Sequence, residues 1–402
     1  MAYTVLARRY RSQSFAGVVG QQPVAETLRN AITSGRVAHA YLFCGTRGVG
    51  KTSMARLFAR ALNAPDTVDD APRAEGAEYP PQEVQERMAG AIMSGQDMNV
   101  VEIDGASNNS VENARQLISN AGLSPTANAL FKVYIIDEVH MLSGAAFNAL
   151  LKTMEEPPPH VKFILCTTEP HKVPATIQSR CQRFDFRNIP PKRIADHLRD
   201  VLAGESVAAE DEVLWQVARL ADGSMRDALS LMDRLLATGA DPLTAKVLEE
   251  MLGLPDRTLV EALVTALADG DLAGTLERTA DLLGRGIGQD QLTEVLIDFL
   301  RQLMLLAACG PETDLVELSE DAKPGAVRLA ERFDAAGLVH MIALLENLQR
   351  AAKSSPTPRA LLDATVVRLA LTEKMADVAG LLAGGGGGAP ASASGGGGKK
   401  KA

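Results

Sequence analysis

The sequence predicts an α/β domain, a parallel sheet with flanking helices, followed by an all-helical remainder. Three observations carry that prediction. From residue 1 to about 185, apolar runs of strand length alternate with helical stretches, the rhythm of parallel strands joined by crossover helices. A glycine-rich octapeptide, Gly45-Thr46-Arg47-Gly48-Val49-Gly50-Lys51-Thr52, lies between one such strand and a helix. From Pro190 onward strand signals nearly vanish, and leucines recur at three- and four-residue spacing, as in packed helices.

Strands are expected at Ala40–Cys44, Val100–Ile103, Val133–Ile136 and Phe163–Thr167, near-continuous apolar runs suited to a sheet buried on both faces. Between residues 63 and 96 the rhythm breaks at Pro65, Pro72, Pro80, Pro81 and many acids, which predicts a surface insertion with one helix over Gln82–Ser94. Pro191–Leu202 and Glu212–Leu236 read as helices of a small second domain, with a turn at Asp222-Gly223. Beyond Asp241-Pro242, amphipathic helices are expected at Leu259–Ala268, Leu272–Leu283, Gln291–Ala308 and Leu338–Ala352. A last one runs from about Arg359 to Leu371 and on toward Leu382. The domains are then residues 1–185, 186–240 and 241–374, with a Gly/Lys tail at 375–402. That tail, ending Lys399-Lys400-Lys401, reads as a solvated flexible end or as a contact for DNA or a partner.

At 402 residues, 46% hydrophobic and 23% charged, the chain has enough apolar material for two to four cores of ordinary globular type. No apolar run has the length to span a bilayer, and Met1-Ala2-Tyr3-Thr4 begins no signal peptide. A cytoplasmic placement with reduced thiols is expected. The four cysteines, Cys44, Cys166, Cys181 and Cys309, form no C-x-x-C pair, which argues against zinc and a disulfide framework. A net charge of −9 disfavours wrapping of nucleic acid by a basic surface. Any DNA contact must therefore come from a confined patch; Arg8, Arg9 and Arg11 form one cluster of positive charge.

The octapeptide matches G-x-x-x-x-G-K-[ST] with the required strand before it and helix after it. Its glycines let consecutive backbone N–H groups face an anion at a helix N-terminus. Lys51 reaches β- and γ-phosphates, and the Thr52 hydroxyl is placed for Mg²⁺. Gly45 through Ser53 are thus the expected phosphate contacts: Gly45, Thr46, Arg47, Gly48, Val49, Gly50, Lys51, Thr52 and Ser53. Val133–Ile136 runs into Asp137-Glu138, two acids at the strand end where open parallel sheets collect ligands. Asp137 suits Mg²⁺, and Glu138 suits orienting and activating an attacking water.

Thr167-Thr168 leaves the Phe163–Thr167 strand, where a hydroxyl either reports on the γ-phosphate or caps a turn. Arg180, in Ser179-Arg180-Cys181, admits three roles: a phosphate ligand in its own pocket, a finger in a neighbour's pocket, or a surface arginine on a helix. A finger is worth about 10³–10⁵ in rate. Arg226, in Gly223-Ser224-Met225-Arg226-Asp227-Ala228-Leu229, starts a helix of the second domain and is placed to couple closure to nucleotide state. Cys44 and Cys181 read as core packing.

Together these motifs resemble the AAA+ ATPases, and more closely the gamma/tau family of bacterial DNA polymerase III subunits. The likeness rests on Leu6-Ala7-Arg8-Arg9-Tyr10-Arg11, Val18-Val19-Gly20-Gln21, His39–Phe43, Asp137-Glu138-Val139-His140-Met141-Leu142, Asn148–Pro158, the Ser179–Cys181 triplet and Gly223–Leu229. It runs almost continuously from about Tyr3 to Leu236 and more weakly through Leu371. The resemblance implies a P-loop ATPase domain, a helical lid and an all-α collar. It implies the ATP-driven motor of a five-membered clamp loader in the bacterial replisome, with no polymerising site of its own. Its implied partners are delta, delta-prime and further gamma/tau copies, a sliding clamp and primed DNA, with no membrane.

Carried onto this chain, the resemblance makes Lys51, Thr52, Asp137 and Glu138 the hydrolytic centre with ATP and Mg²⁺. Thr168, ahead of Thr167, becomes a first sensor, Arg226 a second, and Arg180 a finger acting in trans. Ala7, Arg11, Val18 and Val19 fall on the adenine-side wall. Asn108, Asn109, Ser110 and Arg115 lie where a helix start can hold DNA phosphates, although Asn109 and Glu112 also have the spacing of a helix cap.

Two departures stand out. Family members usually carry a four-cysteine zinc module, whereas Leu62-Asn63-Ala64 lacks the first ligand and no cysteine follows before Cys166; zinc is not expected. The chain also resembles the short gamma-like form rather than the long one. Two rivals are weighed. A branch-migration type motor would carry a winged-helix domain in place of the leucine-rich helices. A non-catalytic scaffold subunit of the same loader would not need Lys51, Thr52 and Glu138.

Overall fold

A computed structural model of the chain describes residues 4–371 apart from 75, 109, 111, 113–118, 120–121, 127–128, 254, 314, 317 and 319–322. Its strands are Ala40–Cys44 (β1), Val100–Asp104 (β2), Lys132–Asp137 (β3), Val161–Thr167 (β4) and Gln182–Asp185 (β5). They pair in the order β2-β3-β4-β1-β5, and every pairing is parallel. The register sets Cys44 beside Thr167, Ile136 beside Leu165 and Asp104 beside Asp137. The three strand ends that matter for chemistry therefore finish on one edge of the sheet.

Alternation along the strands divides the core into two layers. Tyr41, Phe43, Ile135, Ile164 and Cys166 pack with Phe58 on one face. Leu42, Cys44, Tyr134, Ile136, Phe163 and Leu165 pack with Phe147 and Leu150 on the other. Every residue of β1 and β4 and all but the last of β3 are buried, and β2, where only Val100 is buried, still carries the apolar residues Val100, Val101 and Ile103, which explains why four strands were legible as apolar runs. β5 was not foreseen. Its only buried residue is Phe184, because it pairs with β1 alone and its other side chains stay polar.

The insertion contains the expected helix, Gln82–Ser94, closed by Gly95 at φ 76°. The stretch before it is ordered by polar side chains. Gln85 accepts from the Asp66 N–H and donates to the Asp66 carboxylate. Asp70 accepts from the N–H groups of Phe15 and Ala16, and Arg60 donates to the Thr67 hydroxyl at 2.8 Å. Among the described residues, no group of three or more His, Cys, Asp or Glu is placed to hold a metal.

Three helices follow the sheet, Pro191–Glu205, Asp211–Leu220 and Met225–Leu236. The predicted span Glu212–Leu236 is broken where Asp222 and Gly223 take φ of 44° and 79°, and Ser224 caps the next helix by accepting from the Asp227 N–H. The N-terminal turn Leu6–Arg9 is strapped to this bundle. The Leu6 N–H donates to Asp233 at 3.0 Å, and Arg9 and the Tyr10 hydroxyl both reach Glu205 at 2.5 Å.

Residues through Thr244 form one compact unit and those from Ala245 another. The second unit has a leucine core in which Leu263, Leu296, Leu300, Leu345 and Leu362 are fully buried; each contributes about 1.5–3 kcal/mol by leaving water. Its helices include the four expected ones, extended to Arg257–Ala268, Leu272–Gly284, Gln289–Cys309 and Ala335–Ala352. Two short helices, Ala245–Leu252 and Lys323–Ala330, were not anticipated. The last described helix is Pro358–Ala370; its expected continuation toward Leu382 and the tail at 375–402 lie outside the described residues. Among the described residues no helix is long and apolar enough to cross a membrane.

Candidate nucleotide site

β1 delivers the chain into the glycine loop, and the helix Lys51–Asn63 carries it away. Gly50 sits at φ 100° as the left-handed entry to that helix. Gly48 has φ +77°, and a Cβ built there would stand 1.9 Å from Ser224 Oγ. Only glycine meets both the backbone angle and the close approach of Ser224, the cap of the helix Met225–Leu236. Lys51 is 6% exposed. Its Nζ donates to the carbonyls of Gly45 and Thr46, both at 2.7 Å, and closes the loop on itself. Burial lowers the Lys51 pKa, while Cys166, Glu138 and Asp137 pull it back.

At the far end of β3, Asp137 Oδ2 accepts from Thr52 Oγ1 at 2.7 Å. Its other oxygen accepts from the Glu138 N–H at 3.0 Å. Glu138 adopts φ 45°, a left-handed conformation uncommon outside glycine that turns its side chain toward β4. Its Oε2 accepts from the Thr168 hydroxyl at 3.0 Å and from the Thr168 N–H at 3.3 Å. Thr167 is fully buried. Its hydroxyl meets His140 Nδ1 at 3.1 Å and accepts from the Glu169 N–H. The two threonines thus face different partners.

A cleft of about 520 Å³ opens over this centre. Of the residues singled out from sequence, Ala7, Arg11, Val18, Val19, Arg47 to Ser53, Asp137, Glu138 and Arg226 all line it. Arg226 starts the helix Met225–Leu236 and its N–H points at the Gly48 carbonyl at 3.4 Å. Burial lowers the Arg11 pKa, with Arg56 adding to the effect and Glu102 opposing it. Gly45 and Thr46 stand outside the lining; the Thr46 hydroxyl donates to Asn188 Oδ1 at 2.6 Å.

Arg180 is not in its own chain's cleft. Its guanidinium is held at the surface by the Thr176 carbonyl and by Glu155. Asn108 bonds back to the Asp104 carbonyl through both its N–H and its side-chain amide, so it lies at the exit of β2, whose last residue, Asp104, is registered with Asp137. Ser110 is half-buried, and Asn109 and Arg115 lie outside the described residues. Cys44 and Cys181 sit in the same core layer; burial raises the Cys44 thiol and pushes Cys181 up to about 12, far from reactive thiolate.

Three participants escaped the sequence reading. His140, its side chain 8% exposed, lies 3.4 Å from both Glu138 and Glu169. Arg56 makes a two-pronged pair with Glu102; an acid inside the apolar strand Val100–Ile103 was the available signal. His197 lines the cleft from the helix Pro191–Glu205, and no local pattern marks it.

Comparison with known proteins adds an independent finding. Family models match over residues 20–190 (DNA polymerase III, delta subunit), 193–241 (DNA polymerase III clamp loader subunit, ATPase lid domain) and 243–383 (DNA polymerase III subunits gamma and tau domain III). The chain is 39% identical over 373 residues to DNA polymerase III subunit tau of Bacillus subtilis, covering 92% of this chain and 64% of the relative. It is 41% identical over 322 residues to subunit tau of Escherichia coli, covering 79% and 48%. It is 39% identical over 305 residues to DNA polymerase III subunit gamma of Buchnera aphidicola, covering 75% and 80%. The chain spans 64% or less of the tau relatives' length and 80% of that gamma relative.

Proposed function

Since the chain belongs to the family of DNA polymerase III gamma and tau subunits, we propose that it is the ATP-driven motor subunit of a clamp loader, opening a sliding clamp and placing it on primed DNA. One observation carries this reading: Lys51, Thr52, Asp137 and Glu138 converge on a cleft that Arg226 lines from the helix Met225–Leu236. A cation, two metal-suited oxygens, a base and a second cationic side chain are parts that serve phosphoanhydride cleavage.

In this reading Lys51 leaves the Gly45 and Thr46 carbonyls and reaches β- and γ-phosphates, while the loop N–H groups cradle them. The Thr52 hydroxyl and Asp137 carboxylate, a hard oxygen pair, fit Mg²⁺ held jointly with phosphates. That ion, when bound, neutralises charge on the β- and γ-oxygens. Glu138 orients and deprotonates the attacking water, and Thr168 holds Glu138 until nucleotide is in place. Ala7, Val18 and Val19 wall the base, with Arg11 above it. Arg226 joins the γ-phosphate and draws the lid over the loop, where Gly48 and Ser224 already touch. Arg180 acts on the phosphate of an adjacent subunit.

The same reading assigns residues 1–185 to the ATPase domain, 186–240 to the lid and 241–374 to a collar that holds the assembly. Delta, delta-prime and further gamma/tau copies complete the ring. This reading also gives Asn108, Asn109, Ser110 and Arg115 the role of binding duplex phosphates, a confined contact compatible with an acidic chain.

The test is ATP turnover by the reconstituted assembly with and without sliding clamp and primed DNA. Stimulation by the combination, and its loss with Lys51→Ala, is the expected result. An assembly indifferent to clamp and primed DNA overturns the loading function.

A further inference from the structure

Arg180 does not hang free at the surface. Its Nη2 donates to Glu155 Oε1 at 2.5 Å and its Nη1 to the Thr176 carbonyl at 2.6 Å. Thr176 belongs to the short helix Ala175–Gln178, which Ser179 separates from Arg180. Glu155 comes from a different element, as the last residue of the helix Gly144–Glu155. That helix carries Asn148 to Glu155 of the Asn148–Pro158 motif, for which the nucleotide cleft supplies no role.

The position of Glu155 is odd on local grounds. A carboxylate in a last helical turn opposes the helix dipole, and this one is half-exposed at 49%. An exposed ion pair contributes little to stability. What the pair does accomplish is geometric. Two acceptors on two elements fix the plane of the guanidinium, and a planar fork fixed in this way loses less freedom when it next binds an oxyanion. A guanidinium has five N–H donors, so Nε and one hydrogen on each terminal nitrogen remain for an incoming anion. The side chain is 33% exposed, open to a second subunit.

We infer that Glu155 is a positioning residue for Arg180, holding its guanidinium pre-oriented toward the terminal phosphate of a nucleoside triphosphate bound by a second copy of this chain. The inference rests on the reading of Arg180 as a trans-acting group. Glu155 touches neither nucleotide nor water. It acts through Arg180 alone, by restricting where the positive charge can sit during cleavage.

The experiment uses the full chain in its reconstituted assembly, with Glu155→Ala, Glu155→Gln, Glu155→Asp, Arg180→Ala and the Glu155→Ala/Arg180→Ala pair. Misplacing a transition-state contact costs roughly tenfold to a hundredfold. Glu155→Ala is expected to lower kcat for ATP by about tenfold, with KM and melting temperature unchanged, whereas Glu155→Gln, whose amide oxygen still accepts from Arg180 at the same reach, keeps most of the rate. Glu155→Asp recovers most of the loss, and Glu155→Ala costs nothing further once Arg180 is alanine. If Arg180→Ala slows turnover but Glu155→Ala leaves kcat intact, the positioning role is wrong while the finger stands. A rise in KM, a lowered melting temperature or an additive double variant likewise overturns it. If Arg180→Ala itself changes nothing, the finger reading falls and takes this inference with it.

Discussion

The Thr52 hydroxyl donates to the Asp137 carboxylate at 2.7 Å across a sequence separation of 85 residues. The first turn of the helix after the loop is thereby tied to the end of β3. β3 is not even a neighbour of β1, since β4 lies between them. The two groups meet because parallel strands all expose their C-terminal ends on the same edge, where the crevice of an open α/β sheet forms.

Removing the hydroxyl separates its two roles. Thr52→Ala is expected to lower ATP turnover about a hundredfold and to raise the Mg²⁺ concentration needed for half-maximal rate. Thr52→Ser keeps the oxygen and most of the activity. Metal titration of single-turnover hydrolysis reads both effects. Equal Mg²⁺ requirements in wild type and Thr52→Ala would remove Thr52 from the metal.

Glu138→Gln keeps length and shape, and its amide oxygen still accepts from Thr168. What disappears is the base. Turnover should drop roughly 10²–10⁴-fold, while nucleotide affinity stays within a few-fold. Equilibrium binding of a fluorescent nucleotide, set against hydrolysis, checks the separation. A Glu138→Gln chain that hydrolyses normally would show that the water is activated elsewhere.

The strands on which these residues sit were legible because a doubly covered parallel sheet leaves continuous apolar runs, as in Ala40–Cys44 and Phe163–Thr167. The phosphate loop was legible because its backbone geometry admits so few residue types. β5 was hidden, since Gln182, Arg183 and Asp185 surround its one apolar residue, Phe184, and leave no apolar run. His140 was hidden for another reason. It follows Glu138 closely in sequence, but its contacts with Thr167 and Glu169 come from β4 and the turn after it. Local patterns report burial and backbone angle. They do not report which distant polar groups a fold brings within 3 Å. The insertion shows the same limit, since its helix was readable but the Asp66–Gln85 and Asp70–Phe15 bonds that anchor it were not.

Gly48 offers a test of lid contact. At φ +77° an alanine is strained, and its Cβ would stand 1.9 Å from Ser224 Oγ and 3.2 Å from Arg226 Cβ. Gly48→Ala is expected to weaken ATP binding at least about tenfold, because the lid must back away and carry Arg226 with it. Adding Ser224→Gly clears the clash but not the backbone strain, so recovery is partial. Isothermal titration with a non-hydrolysable analogue measures both. Full affinity in Gly48→Ala would mean that the start of the helix Met225–Leu236 does not press on the loop when nucleotide binds.

His197 gives the last prediction, with a defined sign. Burial lowers its pKa from the ordinary value of 6.5, and Asp200 opposes the shift without cancelling it. The folded chain therefore prefers the neutral imidazole, so the unfolded state takes up the proton first as pH falls. The stability contributed is fully present above pH 6.5 and is lost as pH drops through the lowered folded value. His197→Gln has no proton to bind. Its melting temperature should decline less than that of the wild type between pH 7 and pH 5, with the two profiles converging in shape above pH 7. Because His197 lines the cleft, saturating nucleotide should steepen the wild-type profile if closure of the site buries the ring further. Parallel melting profiles for the two chains across the whole range would show that the imidazole titrates as it does in the unfolded chain, and that the cleft wall at this point is open to water.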